Sequence, residues 1–110
     1  MRSPYCVSKW GMIGFTQTLA LEVGKYNIRV NCIAPGFTEG ERVESVMKAK
    51  AEALGLSYEE VVNRDRATAT ATLGRTCTAA EQASAAVFLA SDESSGLTGQ
   101  TIGVDAGLRL

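Results

Sequence analysis

The chain is 110 residues long, 45% hydrophobic and 21% charged, the composition of one small globular domain rather than of a disordered or fibrous segment. Eleven basic side chains against twelve acidic ones leave a formal net charge of −1. Such a balance offers no polyelectrolyte face, so neither nucleic acid nor anionic membrane is an expected partner, and a small neutral or weakly charged ligand is.

Met1-Arg2-Ser3-Pro4 lacks the apolar core of a signal peptide, and no apolar run approaches the ~20 residues of a membrane helix, so a cytoplasmic location is expected. Cys6, Cys32 and Cys77 are odd in number and widely spaced, which fits neither a disulfide framework nor a zinc site. They are expected as free, mostly packed thiols, and no metal site is expected. The absence of histidine excludes Ser-His-Asp and Cys-His catalysis and histidine proton shuttles.

In chain order, Ser3 before Pro4 forms a helix start: serine caps free N–H groups, and proline suits the first helical position. The helix is expected to run to Val23, to stop at Gly24 in a left-handed conformation, and to be buried, since its apolar residues lie almost all round it. Gly11 and Gly14 within it suggest close approach of a neighbouring element. Ile28 to Ile33 reads as a strand stopped by Ala34-Pro35-Gly36, with Asn31 as a structural amide satisfying backbone groups. Val43, Val46, Met47, Ala51 and Leu54 have helical period over 41–54, and Gly55 supplies the stop. Ser57 with Glu60, and Thr78 with Glu81, have capping-box spacing and open two more helices, the second ending near Ser91-Asp92. Ala67 to Leu73 is expected as a mobile connector, and Thr101 to Val104 as a last strand that Asp105-Ala106-Gly107 turns out of. This order implies right-handed crossovers in a parallel sheet.

Two strands and a helical crossover cannot pair their outer backbone groups or cover both sheet faces, because parallel sheets occur as several strands between helix layers. The missing strands come either from the rest of a longer chain or from partner chains, and the chain is expected to be a fragment of a longer one.

Tyr5 and Lys9 stand one helical turn apart and share a face, so both can serve one small molecule. A phenol with an ordinary pKa of about 10 is a poor base, and a nearby cation favours its phenolate and brings it towards working pH. This spacing alone also fits a packed tyrosine beside a lysine that extends its head to water. The ordered series Tyr5-Cys-Val-Ser-Lys9, Gly14-Phe-Thr-Gln-Thr-Leu-Ala-Leu-Glu22, Ile28-Arg-Val-Asn-Cys-Ile-Ala-Pro-Gly36 and Leu97-Thr-Gly-Gln-Thr-Ile-Gly-Val-Asp-Ala-Gly107 resembles the short-chain dehydrogenase/reductase superfamily. The similarity is to its single-domain members, such as 3-oxoacyl-(acyl carrier protein) reductases and 3-hydroxyacid dehydrogenases, and covers nearly the whole chain.

The resemblance implies an α/β fold, the C-terminal half of a Rossmann-type doubly wound parallel sheet that is incomplete in this chain. Residues 1–110 would be the C-terminal part of a single NAD(P)-binding domain, with a substrate lid over residues 41–70. It also implies NAD or NADP as cofactor, an alcohol or ketone as small-molecule substrate, and a homo-oligomer. Tyr5 would be the proton donor and acceptor. Lys9 would hold the nicotinamide ribose hydroxyls and favour the phenolate. Pro35, Gly36, Phe37 and Thr38 would form the turn whose backbone lies against the nicotinamide. Gly40 stands where the family usually has a threonine, and the family's catalytic serine and glycine-rich phosphate loop lie outside the chain, so the 110 residues alone are expected to be inactive. The alternative is a truncated, non-catalytic oligomerisation module. Epimerases and dehydratases of the extended type are disfavoured because the chain ends soon after Val104. Ser8 is expected as a small packing residue, and Val46 near the mouth of the substrate pocket, with Glu41 and Arg42 either there too or, the favoured alternative, simply solvated surface charges.

Overall fold

A computed structural model describes residues 3–68 and 71–108. Its elements are α1 (Ser3–Val23), β1 (Cys32–Pro35), α2 (Glu41–Leu54), α3 (Tyr58–Thr68), α4 (Ala79–Ala90) and β2 (Thr101–Val104). The contacts fall into two compact units, Met1–Ala34 with Ser84–Ile102 and Pro35–Ala83 with Gly103–Leu110. β1 and β2 form a two-stranded sheet. The flanking bonds, Cys32 N–H to the Gln100 carbonyl at 2.8 Å and Gly36 N–H to the Val104 carbonyl at 3.0 Å, advance together along both chains, so the pairing is parallel as expected.

In the first unit α1 begins at Ser3 and passes into a short 3-10 turn, Gly24–Tyr26. The stop is Asn27, not Gly24: Asn27 takes φ 59° and donates its N–H to the Gly24 carbonyl. Asparagine tolerates this left-handed geometry better than other side-chain-bearing residues. The expected burial of α1 also fails. Only Thr16 and Ala20 are buried, while Trp10 is 71% and Leu21 86% exposed. Open space surrounds Gly11 and Gly14, and Ser8 is exposed, its hydroxyl donating back to the Tyr5 carbonyl at 2.8 Å. The physical reason is the same in each case: no layer among the described residues covers these sides of the helix.

The strand expected over 28–33 is assigned at Cys32–Pro35 instead. Ahead of it, side chains replace part of the ladder. Val30 N–H donates to Thr98 Oγ1 at 3.1 Å, Asn31 Nδ2 donates to the Leu97 carbonyl at 2.9 Å, and Asn31 Oδ1 accepts Gln100 N–H at 3.1 Å. Asn31 is thus the structural amide expected from its position. Arg29 adds a feature without a local sequence signal. Its Nη2 donates to the Leu89 and Ser91 carbonyls at 2.8 and 3.1 Å, and its Nη1 to Ser94 Oγ at 2.9 Å. A guanidinium there bonds a carbonyl of the last turn of α4 and one just beyond its end, and complements the helix dipole.

The second unit is organised by local stops and starts. α2 ends at Gly55, φ 62°, where Leu56 N–H reaches the Ala51 carbonyl and Gly55 N–H the Glu52 carbonyl. α3 opens on a capping box: Ser57 N–H donates to Glu60 Oε2 at 2.8 Å, and Glu60 N–H to Ser57 Oγ at 3.2 Å. Thr78 and Glu81 repeat the arrangement at α4, at 2.8 and 3.2 Å. Each such cap contributes about 1 kcal/mol to its helix. α2 packs on α3, burying Ala51 and Val61, and Lys50 Nζ lies 2.6 Å from Asp65 Oδ1.

The connector expected over 67–73 is less loose than its composition suggests. Ala67 and Thr68 end α3, and residues 69 and 70 lie outside the described set. Beyond them Thr72 and Leu73 donate their N–H groups to the Gly107 and Ala106 carbonyls at 3.1 and 3.0 Å, and Ala71 bridges to Leu108. Among the cysteines Cys77 is buried, Cys32 half-buried and Cys6 exposed, so the packing expected of these thiols fails at Cys6, which sits on uncovered α1.

Removing the Arg29 guanidinium takes its charge-assisted hydrogen bonds from the Leu89 and Ser91 carbonyls and leaves them the neutral bonds from Ser94, so Arg29→Ala is expected to destabilise the chain by about 1–3 kcal/mol, read as a lower urea midpoint. Arg29→Lys is expected to recover only part of that loss, because an ammonium cannot reproduce the fork. Equal midpoints for all three proteins would remove the cap from the account.

Candidate active site

Tyr5 and Lys9 lie in the first turns of α1, both exposed, with Lys9 Nζ 5.6 Å from the centre of the Tyr5 ring. The helix supplies this neighbourhood, since residues one turn apart stack on one face. Tyr5 is 58% exposed, so the phenol is open to a ligand. A phenol O–H and an ammonium with three donors, side by side and accessible, form a set that suits vicinal hydroxyls.

Pro35, Gly36, Phe37 and Thr38 belong to the second unit and form the expected turn out of β1. Gly36 is there for want of space: a Cβ on it would fall 2.6 Å from Asp105 Cα and 3.0 Å from the Asp105 carbonyl oxygen. Thr38 bridges to Cys77, with Cys77 N–H donating to the Phe37 carbonyl at 2.8 Å and Glu39 N–H to the Cys77 carbonyl at 2.9 Å. Gln82 ties the turn down, its Nε2 donating to Thr38 Oγ1 at 3.2 Å and to the Val104 carbonyl at 2.7 Å. Phe37 remains 47% exposed and Pro35 is exposed, so the outer side of the turn is open. Gly40 has φ 152° and ψ 168°, a conformation that a β-branched threonine rarely adopts.

Beyond the turn lies a cleft of about 280 Å³ within the second unit. Phe37, Val43, Met47, Tyr58, Val62 and Leu108 give it apolar walls. Glu41, Arg42 and Val46, expected near the mouth of the substrate pocket, are not among the residues lining this cleft. Val43, Glu44 and Met47 line it, a helical face of α2 that excludes Glu41, Arg42 and Val46. The rotational phase of α2 could not be fixed from a periodicity in which Val43, Val46 and Met47 all fit. Sequence reasoning missed Gln82, and it read Asp105 only as part of the turn out of β2 and not as a wall of the cleft. That turn is an Asx turn, in which Asp105 Oδ1 accepts Gly107 N–H at 2.9 Å.

Arg75 holds the entrance to α4. Its two terminal nitrogens lie 3.0 and 2.7 Å from the two carboxylate oxygens of Glu81, a fork-to-fork pair. Those hydrogen bonds, with that from Thr78 N–H, bring the Glu81 carboxyl down to about 2. The same pairing raises Arg75 above its ordinary value.

A family model described as "Enoyl-(Acyl carrier protein) reductase" matches residues 1–109. "Nodulation protein G" of Rhizobium sp. (strain N33) is 41% identical over 106 residues, 96% of this chain and 38% of that protein. The 3-oxoacyl-[acyl-carrier-protein] reductase FabG of Chlamydia muridarum is 42% identical over 104 residues, 94% of this chain and 37% of that protein. In structure the chain is similar to L-sorbose reductase from Gluconobacter frateurii, solved with NADPH and L-sorbose. The TM-score is 0.86 at 32% identity, covering 94% of this chain and 39% of that one. The chain therefore spans well under half the length of the relatives it matches.

Gly36→Ala is expected to cost about 1–3 kcal/mol, because the added methyl meets backbone of Asp105 rather than a movable side chain. A denaturation midpoint equal to that of the unsubstituted chain would contradict the close approach. The Glu81 carboxyl, depressed in the folded state, stabilises fully above its ordinary value and loses that contribution as pH falls through about 2. An NMR titration is expected to place its midpoint at about 2 and to find it higher in Arg75→Ala.

Proposed function

The chain belongs to the short-chain dehydrogenase/reductase superfamily, and from that premise we propose that the protein interconverts a secondary alcohol and its ketone with NAD or NADP as hydride carrier. The observation that carries the reading is the exposed Tyr5–Lys9 pair, with Nζ 5.6 Å from the ring centre. The bound nicotinamide supplies or accepts the hydride. Tyr5 Oη gives a proton to the carbonyl oxygen in reduction and takes it from the alcohol in oxidation, a general acid/base role. Lys9 Nζ donates to the ribose hydroxyls and sets a positive charge beside the phenol. Pro35, Gly36, Phe37 and Thr38 give the nicotinamide a backbone surface, a role supported by the side-chain-free Gly36 and the open outer side of the turn.

Residues 1–110 then form the C-terminal part of a single NAD(P)-binding domain, and residues 41–70, with α2 and α3, act as its substrate lid. The FabG likeness favours a 3-oxoacyl or 3-hydroxyacid type of substrate, whereas the sorbose reductase likeness favours a keto sugar such as L-sorbose. The complete protein is a cytoplasmic homo-oligomer in this reading; in support, no helix among the described residues is long and apolar enough to cross a membrane. A second reading, a non-catalytic oligomerisation module, draws on the exposed apolar side chains of α1, among them Val7, Trp10 and Phe15.

Mixing the chain with the N-terminal portion of such an enzyme tests both readings. Loss of NADPH or NADH absorbance with a ketone supports the oxidoreductase, while oligomers without turnover support the module. In the active mixture Tyr5→Phe is expected to lower kcat by roughly 10²–10⁴-fold with folding unchanged. Undiminished turnover by Tyr5→Phe would remove the assigned acid/base.

A further inference from the structure

The cleft of the second unit has a charge pattern that selects among substrates. Four carboxylates line it, Glu39, Glu44, Asp65 and Asp105, and Arg75 is the one cation in its wall among the described residues. That cation is already engaged. Both terminal nitrogens of Arg75 face the Glu81 carboxylate, and Nη1 also donates to the Thr76 carbonyl at 3.1 Å. Lysines offset Glu44 and Asp65, at 3.7 and 2.6 Å. Glu39 accepts a hydroxyl bond from Thr76 at 3.1 Å and lies within the field of the Arg75 guanidinium, and Asp105 accepts the Gly107 N–H at 2.9 Å.

A carboxylate or phosphate entering this space would lose water, meet carboxylates and find no uncommitted cation among the described residues of the wall. An uncharged molecule with an apolar body would instead bury its surface against Phe37, Val43, Met47, Tyr58, Val62 and Leu108. The volume of about 280 Å³ lies close to the ~300 Å³ lower end of small-molecule sites.

We propose that this cleft receives an uncharged secondary alcohol or ketone with an apolar body and rejects anionic substrates. The proposal rests on the alcohol/ketone reading for its ligand class, and it decides against acids, phosphates and carriers with a phosphorylated arm entering this space.

The test is an NMR titration of the 110-residue chain with methyl hexyl ketone and, separately, with the keto acid carrying a terminal carboxylate on the same chain. The neutral ketone is expected to shift the methyl signals of Val43, Met47, Val62 and Leu108 saturably, with the keto acid at least about tenfold weaker. The double variant Glu39→Gln, Glu44→Gln, whose changes are exposed and nearly isosteric, is expected to close most of that gap. Met47→Trp is expected to abolish binding by filling the cleft. Equal or tighter binding of the keto acid, an undiminished gap in the double variant, or no saturable shift of these methyls with either compound would overturn the proposal. Turnover is a separate measurement. A mixture with the N-terminal portion that stays inactive while the ketone still binds selectively overturns the oxidoreductase reading and leaves the cleft assignment standing.

Discussion

The parallel pairing of Cys32–Pro35 with Thr101–Val104 is the constraint on which the other elements depend. A parallel pair cannot be closed by a tight turn, so everything between the two strands has to serve as one long crossover. Side chains extend the pairing where the ladder stops. Asn31 supplies both a donor and an acceptor to residues sixty-odd positions away, and Arg29 fastens the end of α4 to the same stretch. At the other end the sheet runs into a turn whose position is set by the absence of a side chain at Gly36 against Asp105.

What could be read from the sequence divides along the range of the interactions. Gly55, the two capping boxes and the bounds of α2 and β2 are local chemistry and appear where their residues stand. The start of β1 shifted because Thr98 and Asn31 compete for backbone groups from far along the chain. Gly24 gave way to Asn27 because a 3-10 turn continued the helix path, a choice that propensity alone does not make. The burial expected of α1 followed from its apolar circumference, but a helix is buried by neighbours, and among the described residues Trp10 and Leu21 have none sufficient to cover them.

The candidate site shows the same division. The Tyr5–Lys9 neighbourhood is a property of helical spacing and so was available from two residue numbers. The cleft was not, because its walls come from α2, α3, the turn after β1 and the segment after β2, and the phase of α2 depends on how α3 packs on it. Gln82 and Arg75 are polar residues beside a capping box, and only the packed structure distinguishes the glutamine that ties Thr38 to Val104 from an ordinary solvated one.

The Arg29 cap also bears on the order in which the chain folds. The capping boxes close within three residues, whereas Arg29 meets Leu89 across sixty positions. Closing a loop of that length costs ~4 kcal/mol of chain entropy before any contact rewards it. Local helices therefore form early and reversibly, and the rate of reaching the native state is governed by the encounter of residues 29–36 with 89–104, as expected for a topology of high contact order. Residues of α2 and α3, which lie wholly inside the loop, affect how long the native state lasts more than how fast it is reached.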